Sequence, residues 1–141
     1  AKWIAADWGT THMRAWAIDE KGEVLAYSES NEGMKDLQQN EFEPVLLRLI
    51  ESWLDSEKVT SVMACGMVGA RQGWFETPYL KTPCVPIDKA QLTVASTKDP
   101  RIQVNLVPGV MQHKPADIMR GEETQIAGFI KENPSFDGIV C

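Results

Sequence analysis

The first stretch that could do chemistry places an acid, a glycine, two threonines and an arginine behind a short apolar run. It reads Asp7-Trp8-Gly9-Thr10-Thr11-His12-Met13-Arg14. The pattern predicts a strand that ends in a carboxylate, a tight turn and a second strand. Gly9 allows close backbone approach, Thr10 and Thr11 offer hydroxyl and N–H donors, and Arg14 can reach a phosphate as a charged fork. Asp7 can hold Mg²⁺ or its waters. The hairpin is therefore a candidate phosphate-binding site, and an ordinary Asp-x-Gly turn is the alternative.

A second polar segment, residues 66–74, is rich in glycine and follows a β-rich run that predicts a buried strand over residues 59–65. Arg71, Gln72 and Trp74 supply a guanidinium, an amide and an aromatic surface. These groups suit a small hydroxylated acid, with Arg71 for the carboxylate, Gln72 for hydroxyls and Trp74 for a C–H face. A glycine-rich connector with a surface arginine is the plainer alternative.

A third segment joins Gly121 to a predicted helix whose first turn is acidic, as the helix dipole prefers. A plain helix start explains this composition, but a carboxylate at such an N-terminus can also project into a cleft. Glu122 is the first candidate for that carboxylate and Asp117 is the second. Arg120 could neutralise charge on a substrate or a phosphate.

Composition limits the class of protein. The chain has 141 residues, with 43% apolar and 24% charged residues, which predicts about one globular domain with a real core. A net charge of −6 argues against nonspecific nucleic-acid binding. No apolar run reaches the ~20 residues of a membrane span, and no signal peptide is present. Three cysteines without a disulfide or metal spacing predict reduced, mostly buried thiols in a cytoplasmic protein.

Hydrophobic periodicity predicts an alternation of short strands and helices. The clearest helix, with an apolar face at three- and four-residue steps, covers residues 42–54. The predicted elements are strands over residues 3–7, 14–18 and 23–28, a loop or short helix over 31–40, the helix over 42–54, a strand over 59–65, a proline-rich irregular segment over 76–86, a short helix over 88–97, a strand over 102–107, a loop over 112–115, a helix from 122 that breaks at 133–135, and a strand from 136.

The hairpin motif Asp7 to Arg14 resembles the first phosphate motif of the actin-like ATPase superfamily, which includes sugar kinases, Hsp70 and actin. The resemblance implies an α/β, ribonuclease H-like fold, with a mixed sheet that opens with three antiparallel strands and is flanked by helices. It also implies that the hairpin faces the ATP phosphates across a cleft between two domains.

Together with residues 66–74 and 119–125, the hairpin motif resembles the 2-dehydro-3-deoxygalactonokinase family. That family consists of sugar-acid kinases that phosphorylate the 6-hydroxyl of 2-dehydro-3-deoxy-D-galactonate with MgATP in galactonate breakdown. The resemblance implies a role for each candidate: Asp7 for Mg²⁺; Gly9, Thr10, Thr11 and Arg14 for the phosphates; Glu122, in place of the more usual Asp, or Asp117 as the catalytic base; Arg71, Gln72, Trp74 and Arg120 for the substrate.

The family also has a second domain with another phosphate loop and the adenosine pocket. The resemblance therefore implies an N-terminal kinase domain over residues 1–133 and the first strand of a nucleotide-binding domain over 134–141, the rest of which is missing. Such a chain is expected to turn over ATP poorly by itself. Another sugar or polyol kinase of the superfamily and a nonenzymatic, nucleotide-switched binding module are the alternatives. The sequence leaves the oligomeric state open, a homo-oligomer included.

Overall fold

The computed structural model describes residues 1–140 of the chain, and this part contains nine β-strands and two α-helices. Five single-turn 3-10 helices connect them, at residues 34–36, 39–41, 51–53, 67–69 and 89–91. The elements are β1 (Trp3–Trp8), β2 (Met13–Ile18), β3 (Val24–Ser30), α1 (Phe42–Ile50), β4 (Thr60–Cys65), β5 (Tyr79–Lys81), β6 (Thr93–Ala95), β7 (Ile102–Leu106), β8 (Gly109–His113), β9 (Ala116–Met119) and α2 (Glu122–Glu132).

Six of the strands form one mixed sheet in the order β3-β2-β1-β4-β7-β6. The strands β1, β2 and β3 pair antiparallel, β1, β4 and β7 pair parallel, and β6 returns antiparallel to β7. The remaining strands form a small second sheet in the order β5-β8-β9. The predicted mixed α/β fold that opens with three antiparallel strands is confirmed.

The core lies between the six-stranded sheet and α1, because alternate residues of each strand point to the same face. On β1, Ile4 and Trp8 are fully buried on that face. Helix α1 meets them with an apolar stripe that includes Phe42 and Leu46, as the helical periodicity predicts. Full burial of a side chain such as Phe42 contributes about 1.5–3 kcal/mol. The helix ends four residues earlier than predicted, at Ile50, where a 3-10 turn tightens the chain.

Two predicted segments differ from the structure. The predicted loop over 112–115 lies within a hairpin in which β8 and β9 pair, and every residue of β9 is exposed. A strand without a buried face shows no apolar alternation, so the pattern could not reveal it. The predicted short helix over 88–97 is one 3-10 turn followed by β6, because edge pairing with β7 takes its second half.

The end of the described chain also differs. The sequence predicts a strand from residue 136, yet residues 136–140 form no strand and are exposed, with no neighbouring strand in the described part of the chain. Cys141, the last residue of that predicted strand, lies outside the described residues. Over residues 1–140, neither helix combines the length and the apolar character that crossing a membrane requires.

Candidate functional site

Three segments meet where β1 and β4 end: the turn after β1, the loop after β4, and the start of α2. Because β1 and β4 are parallel neighbours, their carboxyl ends lie at the same edge of the sheet. A β-carbon on Gly66 would lie 2.7 Å from the Trp8 carbonyl oxygen and 3.4 Å from Asp7 Oδ1. A β-carbon on Gly121 would lie 3.1 Å from the Cα of Gly66. The three polar segments that the sequence singles out therefore lie together.

Asp7 stands at the centre of this meeting point. The register of β1 and β2 places Asp7 opposite Arg14, whose Nη2 donates to Asp7 Oδ2 at 2.6 Å. Gln125 on α2 donates to the same oxygen from 3.3 Å. The side chain is 17% exposed at the mouth of the site and does not point into the hydrophobic core. Within the described residues, both hydrogen bonds to the carboxylate go to Oδ2, and Oδ1 accepts none.

A metal ion at Asp7 would need ligands from elsewhere. No group of three or more His, Cys, Asp or Glu side chains within residues 1–140 comes together to hold an ion. The free Oδ1 of Asp7 fits the alternative, in which one carboxylate holds Mg²⁺ while water and phosphate oxygens complete its shell.

The hairpin tip, residues 9–12, borders a groove of about 400 Å³ that continues to Glu29 and Ser30 on β3. Thr10 and Thr11 are exposed there. The N–H of Gly9 already donates to the carbonyl of His12 at 2.9 Å. The N–H of Gly9 is therefore not free to bind a phosphate. The role predicted for Gly9, which is to let a ligand come close to the backbone, does not need this N–H.

Backbone hydrogen bonds from the segment that follows β3 hold the hairpin tip in place. The N–H of Met34 donates to the Gly9 carbonyl at 3.0 Å, and the N–H of Lys35 donates to the Thr10 carbonyl at 3.1 Å. Any side chain at Gly33 would overlap the backbone of Thr10 and Thr11. The shape of the tip is thus fixed by backbone contacts from a separate segment.

The two acidic residues at the start of α2 have different environments. Glu122 is exposed, and its Oε2 accepts the backbone N–H of Arg120 at 2.8 Å. Glu123 is only 7% exposed and accepts the N–H of Gly121 at 2.8 Å. Burial raises the pKa of the Glu123 carboxyl above its ordinary value. Glu122 is therefore the carboxylate of this turn that a ligand can reach.

Asp117 lies in a different part of the molecule. It is on β9, where Oδ1 accepts the N–H of Ile118, and it borders a groove formed with β8 and Thr82. That groove shares no residue with the one at the hairpin tip. The structure does not bring Asp117 to Asp7, and of the two predicted bases only Glu122 lies at the start of α2, next to Gly121.

The predicted substrate residues of the loop after β4 separate into two groups. Arg71 and Gln72 are exposed. Trp74 is only 4% exposed, and its ring stacks on Phe42 with centroids 5.8 Å apart and an angle of 12° between the planes. The prediction that Trp74 offers a surface to the substrate is therefore corrected: the loop folds back over the sheet, and the indole belongs to the core.

Arg120 is also corrected from a substrate ligand to a structural residue. It is 7% exposed, its guanidinium donates to the hydroxyl and carbonyl of Thr77, and it lies 4.4 Å from the Tyr79 ring centroid. Within the described chain, its Nε has no hydrogen-bond partner. The buried guanidinium thereby ties the start of α2 to the segment that leads into β5.

Sequence reasoning missed Gln125. Its amide reaches Asp7 from the first turn of α2 and connects the acidic turn to the hairpin. Helical spacing could have found it, because a residue three positions after Glu122 lies on the same side of a helix.

Cys65, at the end of β4, is a buried thiol near the carboxylates of Asp7 and Glu123. Burial raises its pKa from 9.0 to about 12, and the nearby Asp7 and Glu123 carboxylates add to the shift. Cys84 is exposed, contrary to the expectation that the thiols are mostly buried, and Cys141 is not among the described residues.

The raised pKa of Cys65 predicts a pH-dependent contribution to stability. The unfolded thiol ionises near pH 9.0 while the folded one keeps its proton to about pH 12, so the contribution is complete below about pH 9 and is lost as the pH rises. The difference in unfolding free energy between wild type and Cys65→Ala should shrink by about 1.4 kcal/mol per pH unit above pH 9. Urea unfolding between about pH 8 and 10.5 measures this difference, with Cys84→Ala, which removes an exposed thiol, as the control. A constant difference for Cys65→Ala would mean that the thiol is solvated.

Gly66 predicts a second effect on stability. Its φ of +101° favours glycine, and an added β-carbon would press on the Trp8 carbonyl at 2.7 Å. Gly66→Ala should therefore lower the free energy of unfolding by about 2–5 kcal/mol, through backbone strain together with overpacking. Gly22→Ala is the matched control, because Gly22 also has positive φ, +87°, but has open space around it. Equal losses in urea titrations of both variants would contradict close packing at Gly66.

Fold and site define a mixed α/β protein with a polar cleft where two parallel strands end beside an acidic helix start. Residues 7–141 match the family model described as 2-keto-3-deoxy-galactonokinase. The chain belongs to that family.

Its relatives agree with this assignment. The chain is 34% identical over 143 aligned residues to a protein of Rhizobium meliloti (strain 1021) described as a probable 2-dehydro-3-deoxygalactonokinase, an alignment that covers 99% of this chain and 45% of the relative. It is 34% identical over 131 residues to the 2-dehydro-3-deoxygalactonokinase of Escherichia coli (strain K12), covering 91% and 42%. A crystal structure from Sinorhizobium meliloti, described under the same kinase name, superposes with a TM-score of 0.77 at 34% identity, covering 92% of this chain and 42% of that one. The chain thus spans less than half the length of these relatives.

Proposed function

We propose that the whole protein containing this chain transfers the γ-phosphoryl group of ATP to the 6-hydroxyl of 2-dehydro-3-deoxy-D-galactonate in the cytoplasm. The observation that carries the proposal is the meeting of Asp7, the loop from Gly66 and the acidic start of α2 at one edge of the sheet, in a chain of this kinase family. Phosphoryl transfer is mostly positioning and charge neutralisation, and such a meeting point can supply both.

The fold is proposed to be the N-terminal domain, residues 1–133, of an actin-like ATPase of the ribonuclease H-like type. The strand order β3-β2-β1-β4-β7 and the position of α1 between β3 and β4 support this. Residues 134–141 would lead into a second domain that supplies the adenosine pocket. The greater length of the relatives supports a second domain.

The phosphate tail would lie across the hairpin tip. Thr10 and Thr11 are exposed there and bring two hydroxyl groups to the groove. Arg14 is 48% exposed, so its remaining N–H donors can turn to the γ-phosphate while Nη2 holds Asp7. Gly9 would let the phosphates approach the backbone closely.

Asp7 would bind Mg²⁺ through water with its free Oδ1. The ion, when bound, would neutralise charge on the phosphate oxygens. Arg14 and Gln125 both hold Oδ2, so they would fix the direction in which Oδ1 faces the cleft.

Glu122 would act as the general base. Its carboxylate would take the proton of the 6-hydroxyl as that oxygen bonds to the γ-phosphorus and the bond from phosphorus to the ADP oxygen breaks. ADP then carries the electron pair of the broken bond away. The exposed position of Glu122 supports this role over that of Glu123, whose carboxyl is buried against Gly121.

The substrate carboxylate would bind to Arg71, and a hydroxyl of the sugar acid would bind to Gln72. Both side chains are exposed on the loop that begins at Gly66. A charge-assisted pair at Arg71 would distinguish sugar acids from neutral sugars, which lack the anionic partner.

A coupled ADP-release assay on the whole protein tests the proposal, with 2-dehydro-3-deoxy-D-galactonate, its gluconate-derived epimer, and neutral polyols as acceptors. The galactonate-derived acid is expected to give the highest kcat/KM. A preference for glycerol or xylulose would identify another sugar or polyol kinase. Nucleotide-dependent partner binding without phosphorylation of any acceptor would identify a binding module.

A further inference from the structure

The face of the six-stranded sheet opposite α1 carries an apolar groove. Because side chains alternate along a strand, the neighbours of the buried residues on β1, β2 and β4 point to this second face. Trp3, Ala5, Trp16 and Met63 line a groove of about 440 Å³, and each of them is half-buried. The groove thus exposes part of four apolar side chains at the middle of the sheet.

The surroundings of the groove indicate that another structural element covers it. Its floor is formed by the parallel pair β1 and β4 of this mixed sheet, and sheets made wholly of parallel strands occur almost only with both faces covered. The apolar surface continues to the edge of the sheet, where Trp16 and Tyr27 have ring centroids 5.5 Å apart. Only one end is polar, where Asp7, Arg14 and Gln125 meet.

Helix α1 covers the other face, and α2 reaches only the polar end of the groove through Thr124 and Gln125. Neither helix of the described chain therefore fills the middle. The aligned relatives have more than half of their length outside the region that matches this chain. Helices on both faces of the parallel part of a sheet are one of the stable layer arrangements, so a helix is the covering element expected from the rest of the protein.

We infer that an amphipathic helix from the part of the whole protein outside this chain docks in the groove lined by Trp3, Ala5, Trp16 and Met63. Ala5 lies between the larger side chains and lets a helix with an apolar stripe approach closely. A polar residue on that helix would lie beside the polar end, near Asp7. The inference rests on the proposed longer protein but not on its catalytic activity.

Thiol labelling tests this inference. Ala5→Cys is made in a background in which Cys84 and Cys141 are replaced by serine, both in the chain of residues 1–141 and in the whole protein. The rate of N-ethylmaleimide addition is followed by mass spectrometry. Ser52→Cys is the matched control, because Ser52 is exposed in the 3-10 turn after α1. Circular dichroism confirms that each variant is folded.

The thiol introduced by Ala5→Cys should be modified readily in the 1–141 chain and at least about tenfold more slowly in the whole protein, since a covered thiol reacts only after local opening. The control site should react equally in both. Equal rates at position 5 would overturn the inference, and so would protection in the 1–141 chain that increases with its concentration, which would identify a second copy as the occupant. If position 5 is protected in the whole protein but the protein has no kinase activity, the docking of a helix in the groove is supported and the proposed function is refuted.

Discussion

The whole protein with Asp7→Asn is expected to lose at least about 10²-fold in kcat, since preorganised charge at a reacting group contributes 10²–10³. The amide keeps the size of the side chain but removes the charge that Oδ1 would offer to Mg²⁺. The ion pair with the 48% exposed Arg14 is worth at most about 1 kcal/mol, so the fold should persist. Steady-state kinetics at several Mg²⁺ concentrations, together with urea unfolding, measure both effects.

Asp55→Asn is the matched control, because Asp55 is exposed between α1 and β4, also pairs with a cation, Lys58, and does not border the groove. It should retain wild-type kcat. Wild-type turnover by the Asp7→Asn variant would remove Asp7 from the mechanism. A loss of activity in proportion to a loss of folded protein would assign Asp7 a structural role only.

Glu122→Gln in the whole protein should lower kcat by about 10²–10⁴-fold, the usual contribution of a general base. The glutamine can still accept the Arg120 N–H that Glu122 binds at 2.8 Å, so the start of α2 should keep its shape. The nucleotide affinity should change little, because the base acts on the acceptor hydroxyl. Single-turnover rates and nucleotide titration separate the two quantities.

Two variants serve as controls for Glu122. Glu132→Gln changes an exposed glutamate at the far end of the same helix and should leave kcat unaltered. Asp117→Asn should also be active, because Asp117 lies in another groove. A Glu122→Gln variant that keeps more than about a tenth of the rate, combined with an inactive Asp117→Asn, would transfer the role of base to Asp117.

Local patterns in the sequence carry much of the fold and the meeting of the three segments. The apolar alternation and turn residues around Gly9 predict the opening hairpin, and the periodicity from Phe42 predicts α1. The parallel pairing of β1 and β4, which the structure shows, then places Asp7 beside Gly66. These features depend on neighbours in sequence or on a general rule of sheet geometry.

Side-chain burial in loops could not be predicted in the same way. Trp74 and Arg120 have the chemistry of ligand-binding residues, and only the tertiary fold shows that Trp74 packs on Phe42 and Arg120 on Thr77. The hairpin of β8 and β9 has no buried alternation on β9 that would reveal it. For Trp74 and Arg120 the deciding contact is made with residues distant in sequence, so no local pattern contains it.

The backbone bonds from Met34 and Lys35 to the hairpin tip have a consequence for how tightly a phosphate tail can be held. In a flexible tip, ordering by a ligand would cost about 1–2 kcal/mol of free energy per residue through lost conformational entropy. In this protein the tip loses that conformational entropy during folding. The binding free energy of a few weak phosphate contacts is therefore not offset by ordering of the tip. Calorimetry should accordingly show little entropic penalty from the tip when nucleotide binds.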